Sequence, residues 1–248
     1  MRVVNTTPSQ CTNVLQHIPG TSTGIKATLF NIENILKDLF NPKACRKGMA
    51  SILPGTPYPY RVIRPSPGGS FSFPYLCGTT TDGGGWIFIQ RRMTGNVDFY
   101  RDWASYKKGF GSLDDEFWLG NENIHITTTK RYRYELRIDL KYNGRSAYAH
   151  YDAFWLENER SNYILRLGRY DGTAGDSMGQ HRKKVFATDR DVYGKNCPEL
   201  YIGAWWYSAC HSANLNGKWM AYNYKGPRWR LFSGKNPVSF SEMKMRKL

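Results

Sequence analysis

Apolar residues in this chain recur in short alternations rather than long runs, a pattern that predicts many brief strands and few helices. Trp86 to Gln90 is an apolar run entered through Gly83-Gly84-Gly85, read as a buried strand behind a sharp glycine turn. Alternating segments at Tyr132 to Leu140, Ser146 to Tyr151 and Tyr163 to Leu167 predict further strands, and short helices are expected around Trp103 to Lys107 and Asp114 to Trp118. Pro54, Pro57, Pro59, Pro65, Pro67 and Pro74 confine any strand among them, such as Tyr60 to Ile63, to a sheet edge. Between Ile25 and Phe40, Leu29, Ile32, Leu36 and Leu39 follow the spacing of a coiled-coil seam, which Asn41-Pro42 ends. Two heptads suit self-association and packing on the protein's own domain equally. Residues 1–22 are polar and aperiodic and read as a flexible tail; from Tyr170 onward periodicity fades into loops rich in Gly, Asn and Tyr.

The 248 residues allow one large domain with a short extension, and 8 Trp, 17 Tyr and 24 Gly point to aromatic clusters joined by turns. No apolar run approaches bilayer length, so no membrane span is expected. Met1 to Gln10 lacks the features of a secretory leader, so a secreted protein would have been trimmed; Asn5-Thr6-Thr7 is an accessible glycosylation sequon. A net charge of +15 favours anionic partners. Its basic clusters are dispersed, however, and no nucleic-acid module is present, so specific nucleic-acid binding is not expected. In an oxidising compartment Cys197 and Cys210 would close a short loop and Cys45 and Cys77 a longer one, leaving Cys11 for a bond between subunits.

Asp189-Arg190-Asp191-Val192-Tyr193-Gly194-Lys195 spaces two carboxylates as a calcium loop does, although Tyr193 and Leu200 stand where an EF-hand needs other ligands. No nucleophile elbow, zinc pair or kinase motif occurs, so no catalytic residues are assigned. His211 stands out among the histidines, following Cys210 and lying close in sequence to Tyr201 and Trp205-Trp206-Tyr207. An aromatic wall beside one hydrogen-bonding ring suits sugars and small acyl groups; a core histidine beneath aromatic packing is the competing account.

The motifs Thr80-Thr81-Asp82-Gly83-Gly84-Gly85-Trp86, Phe99-Tyr100-Arg101-Asp102-Trp103, Glu116-Phe117-Trp118-Leu119-Gly120-Asn121, Asn196-Cys197, Cys210-His211 and Asn214-Leu215-Asn216-Gly217, in that order, resemble a fibrinogen-related domain from about Cys45 to Arg246. The sequence as a whole is similar to secreted lectins of that family, alongside ficolins and tachylectins. The resemblance implies an α+β fold with a central twisted antiparallel sheet, short helices and a loop-rich region for calcium and ligand. The expected organisation is a tail (1–22), a helix able to oligomerise (23–42) and one domain (43–248). Within that domain lie an N-terminal part (43–92), a central sheet (93–175 plus 238–247) and a calcium and ligand region (176–237). The resemblance pairs Cys45 with Cys77 and Cys197 with Cys210. It assigns calcium to the side chains of Asp189 and Asp191 and the carbonyls of Tyr193 and Lys195. It also assigns ligand binding to Tyr201, His211 and the backbone of Ala209-Cys210, with a cis peptide before Cys210. Tyr224 or Tyr222 is the expected next wall, Tyr224 being favoured, and Lys235 falls where an aromatic is common, which favours an anionic ligand. The leading expectation is an extracellular, oligomeric innate-immune lectin for acetylated or anionic carbohydrate on microbial surfaces; the alternative is a receptor-binding or adhesion module of the angiopoietin kind.

Overall fold

The computed structural model describes residues 72–129, 133–188 and 194–248, the backbone of Tyr60–Ile63, and Cys45 and Lys47. The tail, the helix expected at 25–40, Asn5, Cys11, Asp189, Asp191 and Tyr193 lie outside the described residues. All the described residues belong to one compact unit, Lys43–Leu248.

Its frame is a nine-stranded antiparallel sheet. Across it run β1 (Tyr60–Ile63), β2 (Tyr75–Gly78), β3 (Trp86–Arg92), β13 (Phe240–Lys247), β6 (Tyr134–Tyr142), β7 (Arg145–Tyr151) and β10 (Tyr170–Gly172). The two-residue strands β4 (Phe110–Gly111) and β5 (Phe117–Trp118) attach beside β3. Two smaller sheets join β8 (Phe154–Leu156) to β9 (Leu165–Leu167), and β11 (Ala213–Asn214) to β12 (Arg228–Trp229). Asp82 and Gly83 to Gly85 all take positive φ ahead of β3, the backbone turn expected from the glycine run. The Cys45–Cys77 disulfide ties the segment before β1 to β2.

The last strand sits in the middle of the sheet, and its period of two separates two kinds of core. Met243 and Met245 are fully buried, opposite Ile138 and Leu136 of β6. The intervening Glu242, Lys244 and Arg246 are buried too, which is tolerable because each charge is paired. Glu242 accepts from Arg91 at 2.9 Å, Lys244 meets Asp139 at 2.6 Å, and Arg246 meets Glu135 at 2.6 Å and Asp82 at 2.5 Å. Aromatic faces cover the cations, with Arg246 4.2 Å from the Trp86 ring centre and Lys244 5.2 Å from that of Phe88. Burial pushes the Asp139 carboxyl up, but Arg137 and Lys244 outweigh it and hold the group below its usual range. Its stabilisation is therefore present above the ordinary carboxylate pKa and lost as pH falls through the depressed one.

The other large cluster is aromatic. Tyr106, Trp118, Phe186 and Trp206 pack ring against ring at 5.1–6.1 Å between centres, joining the helix α1 (Trp103–Lys108) to the loop-rich C-terminal part. One predicted helix is absent. Asp114 and Asp115 lie in a turn, and Phe117 and Trp118 are strand β5, paired to Arg91 and Gln90. Gly111 and Gly120, at φ 88° and 108°, bound too short a segment for a helix to compete with those ladder bonds. The helix forms instead as α2 (Asn121–Thr129).

Candidate functional site

The shape of the C-terminal loops depends on a buried histidine. The Nδ1 of His181 lies 2.7 Å from the Trp206 carbonyl, while its Nε2 faces the backbone N–H groups of Ala213 at 3.0 Å and Ser212 at 3.3 Å. Those partners fix the tautomer: Nδ1–H donates and Nε2 accepts, so the ring must be neutral. Burial draws its pKa down to about 4. His181 thereby fastens both sides of a loop that is closed a second time by the Cys197–Cys210 disulfide, whose Cα atoms are 5.3 Å apart. The backbone N–H of Trp205 donates to the Ala187 carbonyl at 3.1 Å, and that of Ala187 donates back to Trp205 at 3.0 Å.

On this frame four side chains converge. The Tyr201 ring, just past the short helix α3 (Cys197–Leu200), stands edge-on to the His211 ring at 4.4 Å. Arg228 of β12 donates from Nη1 to the His211 carbonyl at 3.2 Å and approaches His211 Nδ1 at 3.3 Å; its Nε donates to the Gly234 carbonyl at 2.6 Å. The Tyr224 ring lies over that guanidinium, 4.7 Å away. Because Nδ1 faces a donor, the ring proton of His211 belongs on Nε2, which is enclosed and makes no hydrogen bond of good geometry, although the Tyr224 backbone lies within reach of the ring. Burial, and after it the charge of Arg228, draws the His211 pKa down to about 3. The loop bearing Tyr224 is anchored to the central sheet, since Arg92 donates to the carbonyls of Leu215 and Gly217 at 3.2 and 2.9 Å, and Gln90 donates to Leu215 and to the Asn216 side chain at 3.2 Å. Backbone strain concentrates here. Ile202, Cys210, Met220, Asn223 and Tyr224 all hold left-handed φ between 47° and 68°, a conformation that non-glycine residues keep only where the surroundings impose it.

The structure thus gathers Tyr201, Cys210, His211 and Tyr224 and leaves Ala209 exposed on the same corner. Two expectations require correction. Trp205, Trp206 and Tyr207 form no wall open to a ligand, because they are at most 2% exposed and their rings belong to the core. The bond before Cys210 is trans, and the corner is turned by Cys210 itself at φ 60°. The Lys235 side chain is exposed and has no contact with the cluster, although the preceding carbonyl, that of Gly234, holds Arg228. Lys195, the last residue of the expected metal loop, is exposed. Among the described residues no group of three or more His, Cys, Asp or Glu side chains is placed to hold a metal, and no helix is long and apolar enough to cross a membrane. Sequence reasoning missed Arg228 and His181. A charge count by segment would have pointed to Arg228: from Leu200 to Ser241 there are five Lys and Arg residues and not one Asp or Glu.

Residues 56–248 match the family described as fibrinogen beta and gamma chains, C-terminal globular domain. Tenascin-R of Mus musculus is 49% identical over 175 residues, covering 68% of this chain and 13% of tenascin-R; tenascin-R of Gallus gallus is 50% identical over 176 residues, with 69% and 13% covered. The protein therefore spans only 13% of the length of these relatives. Among solved structures, the fibrinogen-like globe domain of human ANGPTL6 superposes with a TM-score of 0.70 at 40% identity, over 76% of this chain and 89% of that one. Lamprey fibrin D-dimer, solved with the peptide ligand Gly-His-Arg-Pro-amide, gives a TM-score of 0.67 at 27% identity, over 96% and 86%.

Proposed function

The chain belongs to the family of the globular domain that ends the fibrinogen beta and gamma chains, a non-enzymatic binding module, and on that premise we propose that it is an extracellular receptor-binding or adhesion module whose contact surface is the corner formed by Tyr201, Ala209, Cys210, His211 and Tyr224. The observation that carries this reading is the convergence of partly exposed rings on a strained backbone, held from beneath by His181 and the Cys197–Cys210 bridge. Similarity to tenascin-R and to ANGPTL6, and a peptide ligand bound to lamprey fibrin on the same fold, support a protein partner. Two disulfides support an oxidising, extracellular setting. The segment 23–42, with Cys11, is the proposed means of self-association, which would raise avidity without new contacts.

Cell-surface binding by the purified protein should fall about tenfold or more in Tyr201→Ala and Tyr224→Ala, and should be abolished by protease treatment of the cells. Unchanged binding in both variants would remove this surface from the reading. A second reading, a lectin for acetylated or anionic glycans, draws support from the His211 ring set edge-on beside the Tyr201 ring. Retention on an acetylated resin, released by a free N-acetyl sugar, would favour it over the first.

Calcium belongs to the same proposal. The donors on offer are the carboxylates of Asp189 and Asp191 and the carbonyls of Tyr193 and Lys195, an all-oxygen set that fits a hard cation. Its role would be to stiffen the loop next to the bridged corner without touching ligand. Saturating calcium should raise Tm by about 5–10 °C, chelation should reverse the rise, and Asp189→Ala should abolish it. An identical Tm with and without calcium would remove the metal.

A further inference from the structure

Buried cations in this protein follow a rule with one exception. Among the described residues, Arg91, Arg92, Lys244 and Arg246 are buried, and each lies within 4 Å of a carboxylate: Glu242, Glu116, Asp139 and Glu135 respectively. Arg228 is comparably buried, at 7% exposure, and no carboxylate among the described residues lies within 4 Å of it. Its Nε and Nη1 are spent on carbonyls and on His211, its face is covered by Tyr224, and Nη2 is left without a protein partner. The surrounding sequence cannot supply the missing charge, since no Asp or Glu occurs between Leu200 and Ser241 while Lys218, Lys225, Arg230 and Lys235 add positive charge. A guanidinium stays ionised at any physiological pH, so among the described residues this site carries an uncompensated positive charge beneath an aromatic lid, beside the His211 ring.

We infer that Arg228 is the recognition point for a carboxylate of the bound partner, and that the contacting segment of that partner is an acidic peptide. This rests on the reading that the corner around His211 is the binding surface. One recessed guanidinium with Nη2 open suits a single carboxylate, one oxygen of which it can engage with a charge-assisted hydrogen bond. A sulfated polysaccharide, whose charge repeats along its length, is instead met by rows of exposed cations. Charge also sets the sign of selectivity: a cationic peptide such as Gly-His-Arg-Pro-amide would bring a second cation to a site where no acid among the described residues is placed to receive it.

The test uses the full-length protein with its arginine Nε–H groups labelled for NMR. Three probes are titrated: acetylated, amidated tetrapeptides carrying Asp or Glu; the same peptides with Asn or Gln; and Gly-His-Arg-Pro-amide. The acidic set should move the Arg228 signal, bind at least about tenfold more tightly than the amide set, and weaken with added salt, while the cationic peptide leaves the signal in place. Arg228→Lys should lose about tenfold in affinity for the acidic set, because an ammonium cannot hold the Gly234 and His211 carbonyls and still present an N–H fixed toward the partner. Equal binding of the acidic and amide sets overturns the inference and needs no variant, so a misfolded Arg228→Lys protein would not obscure the result. A signal moved by a heparin hexasaccharide and not by acidic peptide overturns it in favour of an acidic glycan. Loss of cell-surface binding in Tyr201→Ala together with indifference to carboxylate would sink this inference alone and leave the binding surface standing.

Discussion

Glu116→Ala is expected to cost about 3–5 kcal/mol of stability, read as a fall in the urea midpoint at unchanged slope. Glu116 is fully buried between β4 and β5. One oxygen accepts from the backbone N–H of Met93 at 2.7 Å and Thr94 at 3.1 Å, and the other accepts from Val97 at 3.1 Å. Arg92, 1% exposed and 3.9 Å above the Phe99 ring, has this carboxylate 3.6 Å from its Nε. Removing the acid strips three amides of their acceptor and leaves a buried guanidinium without its counter-charge, and the second loss is the larger. The damage should also reach the proposed binding surface, because Arg92 holds the carbonyls of Leu215 and Gly217 at the base of the loop that carries Tyr224. Glu116→Gln keeps the shape but turns an N–H₂ toward donors, so an intermediate loss is expected. A change under about 1 kcal/mol in Glu116→Ala would mean that water enters and replaces the carboxylate.

What could be read from the sequence divides along physical lines. Strands marked by a continuous apolar run or by alternation were legible: the segments expected at Trp86, Tyr132 and Ser146 are β3, β6 and β7, each with its ends shifted by at most two residues. The helix α2 was not, because Asn121 to Thr129 is poor in helix formers and ends in three threonines. Tertiary contacts override that preference. Ile124 is fully buried, Asn121 accepts from the Trp118 indole at 3.1 Å, and each threonine hydroxyl donates to a carbonyl four residues back. The pairing of the charged residues of β13 was not legible either: Glu242, Lys244 and Arg246 are buried by partners more than a hundred residues away in β3 and β6. Composition can flag such charges but cannot pair them.

At the candidate site, proximity in sequence was a sound guide for Cys210-His211 and Tyr201 and a poor one for Trp205 and Trp206, whose rings turn inward, Trp205 to His181 and Trp206 to Phe186 and Trp118. The decisive contacts of Arg228 and His181 span 17 and 25–32 residues, and they are made through carbonyls and amides that no side-chain motif encodes.

His181→Ala should therefore cost about 3 kcal/mol at neutral pH, a loss comparable to that of a core carboxylate, since it leaves the Trp206 carbonyl and the Ser212 and Ala213 amides without their buried partner. The imidazole also writes a pH signature. In the unfolded state it titrates near its ordinary 6.5, in the folded protein near 4, so between those values the unfolded state binds the extra proton. Stability is then full above pH 6.5 and falls as pH drops toward 4, by about 3 kcal/mol for this one group. His211, held down to about 3, shares the window, while Asp176 favours and Lys184 opposes the charged form of His181. The wild-type slope from pH 6.5 to 4.5 should accordingly correspond to close to two protons, and the His181→Ala slope to one. Equal slopes in the two proteins would show that His181 takes up its proton without unfastening the loop, and the tautomer assigned from its three backbone partners would be wrong.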